Sequence, residues 1–445
     1  MKQEAIRQLG IAELALAYRQ GKLKAVQVAE AYLEVVAVGS VYRLTMPEKA
    51  LKQAQKADKD FSLAIEHSPL QGVPIALKDL IDTEGEVTAA GSKVLARQAP
   101  AAQDAPVVAK LRSAGAVFLG KTNMSELAFS GVGINPHWGT PDAALKAGAI
   151  PGGSSSGSGV AVAKGLAAAA LGSDTGGSVR IPSAFNGLVG LKTTDGLLPT
   201  VGAVALSTTL DTLGPMTKSV YDAWLFLQAM LGTQEPLSFK GVSGLKCLVP
   251  TNILQDGLDP EVEEAFAENC QYLSRLGVEL EARAVPELDE IQTLYARYGS
   301  FASHESYALY EEILQGHGDE MDSRVVKRIM QYADMPAKSY IRLHVAREAI
   351  RRSFWQRYQA FDAILAPTVP ILPPAIASLK EDAEFFRVNG LCLRNTMPFN
   401  FLGTPAVSVP VKRDMPIGLM IVTRPYQEAL ALNLARVIEI GVRGY

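Results

Sequence analysis

Residues 151 to 180 read PGGSSSGSGVAVAKGLAAAALGSDTGGSVR, two clusters of glycine and serine that offer hydroxyl nucleophiles among the smallest side chains. A serine attacks a carbonyl only when a base takes its proton and hydrogen-bond donors stabilise the oxyanion that forms. The second cluster suits the second need. Thr175, Gly176 and Gly177 lead to Ser178, and glycine-rich turns let successive backbone N–H groups converge on one point. The first cluster contains Gly153-Ser154-Ser155-Ser156-Gly157, a GxSxG pattern in which Ser155 is the nucleophile and a carboxylate and then a histidine must follow. Only His304, His317 and His344 follow, and only His317, in QGHGDE, falls in a loop-like stretch. Such an elbow also needs a strand before it, whereas ALKAGAIPGG reads as a loop. Without histidine, the base is a lysine kept neutral by burial. Three lysines end apolar runs, Lys78 in VPIALKD, Lys121 in VFLGKTN and Lys192 in LVGLKTT, and spacing does not choose among them.

Other uses of the stretch conflict with its residues. A flexible linker is polar throughout, but VAVAKGLAAAALG is too apolar to be left in water. A phosphate loop needs GxxxxGK, and here Gly152 and Gly157 are followed by Ser158. Over 445 residues, 43 Lys and Arg stand against 46 Asp and Glu for a net charge of -3, which gives no electrostatic footprint for nucleic acid. Cys247, Cys270 and Cys392 are odd in number, far apart and without histidine at zinc spacing, which argues for a reducing compartment and against a structural metal. No stretch reaches the ~18 uninterrupted apolar residues of a membrane span, and MKQEAIRQLG lacks the apolar centre of a signal peptide. The expectation is a cytoplasmic protein with a small-molecule substrate, no cofactor, no metal, and no direct contact with nucleic acid or membrane.

The elements that must position these residues follow from periodicity. EAIRQLGIAELALAYRQG and AVQVAEAYLEVVAVG repeat apolar residues at helical spacing, and PEKALKQAQKAD opens with a first-turn proline. GVPIALKDLI, PVVAKLRSAG and AVFLGK read as strand, helix and strand, a rhythm repeated by KCLVP, a helix from Asp259-Pro260 to Gly277, and VELEARAV. DAILAPTVP, PAVSVP and GLMIV add strands near the end. The predicted fold is α/β, a single large domain over 1-445 whose central mixed, mostly parallel twisted sheet is covered by helices on both faces. Within it, 1-65 holds N-terminal helices, 66-235 the core, 236-360 a more variable, largely helical region, and 361-445 the last strands and helix. The helical, charged 300 to 360 segment is the expected cover over a substrate.

Residues 152 to 192 resemble the signature of the amidase signature enzymes, GGSS(G/S)GS, then a small-residue helix, then G(T/S)DTGGS(I/V)RxPxxFxGxxGLK. LQGVPIALKDLIDTEG, KTNMSELAFSGVGINPHWGTP, FDAILAPTVP, NTMPFNFLGTPAVSVP and PIGLMIVTRPYQEALAL are similar to further family segments, so the likeness spans nearly the whole chain, loosely over 235 to 345. The resemblance implies that Ser178 is the acylated nucleophile, Ser154 a relay serine held by a cis peptide bond, and Lys78 the base. It makes the backbone at Thr175, Gly176, Gly177 and Ser178 an oxyanion hole, and Met124 a position whose backbone lines the pocket. Ser155 then supports Lys78 by a hydrogen bond, and the apolar middle is a buried helix between the clusters. Thr193 and Asn186 depart from the usual proline and cysteine, which bears on substrate preference. The implied reaction is hydrolysis of a small carboxamide to acid and ammonia through an acyl-enzyme. The alternatives are an ammonia-supplying subunit for tRNA-dependent transamidation, an allophanate, biuret or malonamate hydrolase, and a His-dependent esterase using Ser155. A homodimer is the family expectation.

Overall fold

Eleven strands join into one sheet in the computed structural model, which describes residues 2–443. In chain order they are β1 (Tyr42–Thr45), β2 (Pro74–Lys78), β3 (Val117–Thr122), β4 (Ala169–Asp174), β5 (Val189–Lys192), β6 (Thr212–Thr217), β7 (Lys246–Pro250), β8 (Glu279–Arg283), β9 (Ala363–Pro367), β10 (Ala406–Pro410) and β11 (Gly418–Thr423). Across the sheet they run β1-β3-β2-β4-β6-β5-β10-β11-β9-β7-β8. The sheet is mixed, but the expectation of mostly parallel strands does not hold. Only β2–β3, β2–β4, β7–β8 and β7–β9 pair parallel, and the other six pairings are antiparallel. The strand-helix-strand units read from the sequence occupy the two flanks. The centre is assembled from β4, β6, β5, β10 and β11, where short links such as Pro410 to Gly418 permit antiparallel return.

The apolar middle of the 151 to 180 stretch is not one helix. Ser156–Ala163 is helical, but Ala169–Asp174 is β4, between β2 and β6 and buried along its whole length. Alanine favours helix, yet propensity yields to packing. Small residues on β4 let the first serine cluster lie close against it: a Cβ added to Gly172 would sit 3.0 Å from Ser155 Oγ. Ile75, Leu77 and Leu171 are fully buried here, each worth about 1.5–3 kcal/mol relative to exposure.

The N-terminal region forms the expected helices, Gln3–Gln8, Ile11–Arg19, Ala25–Leu33 and Pro47–Ser62, with the unanticipated edge strand β1 among them. The 300 to 360 segment is helical as read, over Phe301–His317, Ser323–Met330 and Ala337–Arg357. Buried Glu305 fastens it to the core, accepting from Ser207 Oγ at 2.6 Å and from Tyr340 OH at 2.7 Å. Among the described residues no helix is long and apolar enough to cross a membrane.

Candidate active site

Lys78 is the last residue of β2, and its neighbour β4 runs parallel, so both strands end at one edge of the sheet. Lys78 Nζ lies 2.7 Å from Ser154 Oγ and 2.8 Å from Ser173 Oγ. The side chain is fully buried, and that burial draws its pKa from 10.5 to about 7 against the opposing pull of Asp211 and Asp174. A sizeable fraction is therefore uncharged at neutral pH. The other two lysines have different partners. Lys121 Nζ meets Thr88 Oγ1 at 2.7 Å and Asp79 at 3.2 Å, while Lys192 Nζ donates to Thr193 O at 2.9 Å and Thr404 O at 3.0 Å. Only Lys78 reaches the serine clusters.

The first cluster is fixed through its backbone. The Gly153-Ser154 peptide is cis, Gly153 N donates to Gly131 O at 2.9 Å, and Ser125 N donates to Ser154 O at 3.2 Å. Ser155 N donates to Ser178 O at 3.3 Å, which ties the two clusters together. The expected bond from Ser155 to Lys78 is absent. Ser155 Oγ turns toward β4 and donates to Ser173 O at 3.3 Å, and Ser173 Oγ takes the place beside the lysine. His317, the histidine considered for Ser155, sits half-exposed and contacts Glu320 at 2.9 Å.

The second cluster leaves β4 at Asp174. Burial would raise the Asp174 carboxyl, but Arg180 at 2.9 Å and Asn400 at 2.9 Å hold it well below the usual carboxylate range. Its Oδ2 also accepts from Val179 N at 3.1 Å, which bends the chain back over the strand end. Thr175 Oγ1 donates to Asp211 Oδ1 at 2.5 Å, and Asp211 Oδ2 accepts from Leu206 N at 2.9 Å and Ser207 N at 3.1 Å. Burial pushes the Asp211 carboxyl up to about 6 despite these bonds. Gly177 has φ +139°, and a Cβ there would fall 2.2 Å from Thr396 Oγ1, which itself donates to Gly176 O at 2.5 Å. Among the described residues the N–H groups of Gly176, Gly177 and Ser178 meet no protein acceptor, and Ser178 Oγ makes no hydrogen bond.

Ser178, Gly176 and Thr175 line a cavity of about 50 Å³ together with Phe129, Arg328 and Tyr295. Larger hollows, about 690 Å³ beside His137 and about 380 Å³ beside Lys412, carry none of the serine or lysine residues described above. The loop before the serines contributes Ala128, Phe129 and Ser130 to the wall, in place of the expected Met124. Met124 is fully buried, with its N–H donating to Asn123 Oδ1 at 2.8 Å and its carbonyl accepting from Asn135 at 2.7 Å. The two departures from the resembled pattern serve the frame: Asn186 donates to Pro151 O at 2.8 Å, and Thr193 to Leu213 O at 2.9 Å.

Sequence reading misses Ser173, Asp211, Thr396, Tyr295 and Arg328. Ser173 sits inside the GSDTGGS stretch, and alternation along a strand finds it once the alanine run is taken as β4. Arg328 and Tyr295 have no local signal, since helical periodicity does not say which polar residue faces a cavity.

Residues 37–432 match the family model described as Amidase. A glutamyl-tRNA(Gln) amidotransferase subunit of Alkaliphilus metalliredigens is 33% identical over 437 residues, covering 88% of this chain and 87% of that protein. The 2-amino-5-chloromuconic acid deaminase of Comamonas testosteroni is 32% identical over 444 residues, covering 97% and 96%. A crystal structure described as an amidase superposes with TM-score 0.88 at 30% identity over 98% of this chain and 100% of that one.

Proposed function

The chain belongs to the amidase family and is an amide hydrolase, and on that premise we propose that Lys78, Ser154 and Ser178 cleave a small carboxamide to a carboxylic acid and ammonia. The observation that carries this reading is the buried contact of Lys78 Nζ with Ser154 Oγ at 2.7 Å. Uncharged Lys78 accepts the proton of Ser154, Ser154 accepts that of Ser178, and Ser178 Oγ attacks the amide carbon. The oxyanion is received by the free N–H groups around Gly176, Gly177 and Ser178, which Asp211 and Thr396 hold in place through Thr175 and Gly176. The C–N bond breaks as the relay returns a proton to the departing nitrogen. Water then releases the acid from the Ser178 ester. The protonation change falls on Lys78, where burial supports an uncharged form near neutrality.

Labelling the purified protein with a fluorophosphonate and mapping the adduct by mass spectrometry tests the assignment. The adduct is expected on Ser178; an adduct on Ser155 would instead favour the elbow arrangement. The amidotransferase relatives raise a second reading, in which this chain supplies ammonia to a partner. Free ammonia released by the chain alone, at a rate unchanged by added partners, counts against it.

A further inference from the structure

Two buried carboxylates meet on one loop beside the oxyanion turn, and the reaction above uses only one of them. Asp211 holds Thr175, while Glu305 belongs to the helix Phe301–His317, whose Ala302 lines the Ser178 cavity. Between the two acids runs the segment 205 to 211. Its Ser207 is fully buried and bonds to both: its N–H donates to Asp211 Oδ2 at 3.1 Å, and its Oγ donates to Glu305 Oε2 at 2.6 Å. Glu305 Oε2 also accepts from Thr209 N at 3.1 Å, and Oε1 accepts from Thr209 Oγ1 and from Tyr340 OH at 2.7 Å. Tyr340 stands on the helix Ala337–Arg357, and Tyr310, on the same helix as Glu305, donates its hydroxyl to Ala205 O. Both helices therefore hold the segment that holds Asp211. Leu206 and Leu210, on either side of Ser207, line the Ser178 cavity.

Such an arrangement is costly if its only task is to attach two helices. A buried carboxylate needs hydrogen bonds to offset its lost hydration, and among the described residues neither Glu305 nor Asp211 is paired with a cation. Burial and then the Glu305 charge raise the Asp211 carboxyl. Apolar side chains would attach the helices without either cost. What the carboxylates add is direction, because each bond fixes the orientation of a donor on the loop that sets Thr175. We propose that Glu305 is a positioning residue for the oxyanion turn, acting through Ser207 and Asp211 on Thr175, so that the turn takes its working shape only when both helices are seated. This role presupposes Ser178 as the nucleophile and the turn as its oxyanion hole. The oxyanion exists only once attack has begun, so losing Glu305 weakens the reacting state and leaves initial binding in place. The charges that act on Lys78 are Asp211 and Asp174, not Glu305, so the base keeps its ionisation.

The test follows the rate of fluorophosphonate labelling at Ser178 against reagent concentration and pH. In Glu305→Ala the maximal rate should fall about 30-fold, with the half-saturating concentration within about threefold of wild type and the ionisation near pH 7 in place. Glu305→Gln should stay within about threefold of wild type, since its oxygen accepts from Ser207 Oγ and Thr209 N while its nitrogen donates to the hydroxyls of Thr209 and Tyr340. Combining Glu305→Ala with Asp211→Asn should cost no more than about threefold beyond Asp211→Asn alone, the signature of residues acting in series. Losses that multiply in the double variant, a loss confined to half-saturation, or a Gln variant as slow as the Ala variant would overturn the proposal. Ser207→Ala removes only the shared hydroxyl and decides the matter if Glu305→Ala fails to fold. A fall of about tenfold is expected there, and a full rate would overturn the proposal. An adduct absent from Ser178 in the wild type removes the reading beneath, whereas an adduct on Ser178 with these variants unaffected loses only this inference.

Discussion

The two ends of the cavity are built on opposite plans. At the Ser178 end, the lysine contacts two serines and the supporting acids, Asp174 and Asp211, have donors on both oxygens. Elsewhere on the cavity wall, the Arg328 guanidinium has one backbone carbonyl and the Tyr295 hydroxyl has no partner. The first is assembled by β2, β4 and two glycine-rich turns at one sheet edge. The second is contributed by the helical region between Tyr295 and Arg328, fastened to the core through Glu305. The contrast is between side chains whose polar atoms are paired within the protein and cavity-wall groups whose donors stay largely unpaired.

The largest expected effect breaks one end and spares the other. Ser178→Ala should lower kcat by about 10,000-fold or more in a protein that still folds. A loss under a hundredfold in a folded protein, measured by ammonia release, would place the nucleophile elsewhere. Next, Ser154→Ala should cost about 1,000-fold in kcat, because proton transfer through Lys78 loses its intermediary. A loss under tenfold, measured by ammonia release, would place the relay elsewhere. Asp211→Asn puts an amide where two backbone N–H groups and Thr175 now donate, so the turn before Ser178 should loosen and kcat fall by about 100-fold.

The smallest effect is on stability, and its sign is opposite. Burial places the folded pKa of Lys78 below its unfolded value, so the unfolded chain binds that proton more readily. The penalty is complete below about pH 7 and fades as pH rises toward 10.5. Replacing the amine in Lys78→Met should therefore raise the denaturation midpoint at pH 7 by ~2 °C or more, with the gap closing toward pH 10. A midpoint that falls at pH 7 would show that the lysine is not strained by its burial.

How much of this is legible in the sequence differs between the ends. The spacing of the serine clusters and the lysine-ended strand is local information, and the family resemblance singles out Lys78, Ser154 and Ser178, which the fold gathers at one sheet edge. Lys121 and Lys192 end similar strands, and only tertiary pairing with Asp79 or Thr404 separates them from Lys78. The alanine run reads as helix because propensity is local, whereas β4 exists by virtue of its neighbours β2 and β6. That misreading hides Ser173 and leaves Ser155 with a bond it does not make. The mostly parallel sheet fails for a related reason: β5 and β6 carry no strand-helix-strand rhythm. Arg328 is invisible as a cavity residue because helix Ser323–Met330 carries several cations, and only the packed fold decides which one lines the cavity beside Ser178.

The most direct test of the central claim, that a buried lysine made neutral by its surroundings activates Ser178, is the pH dependence of fluorophosphonate labelling. The rate of adduct formation at Ser178 should rise through a single ionisation near pH 7 and level off above it, and Lys78→Met should lose both the rise and most of the rate. A rate that is flat between pH 5 and 9, or one that Lys78→Met leaves unchanged, would contradict the account.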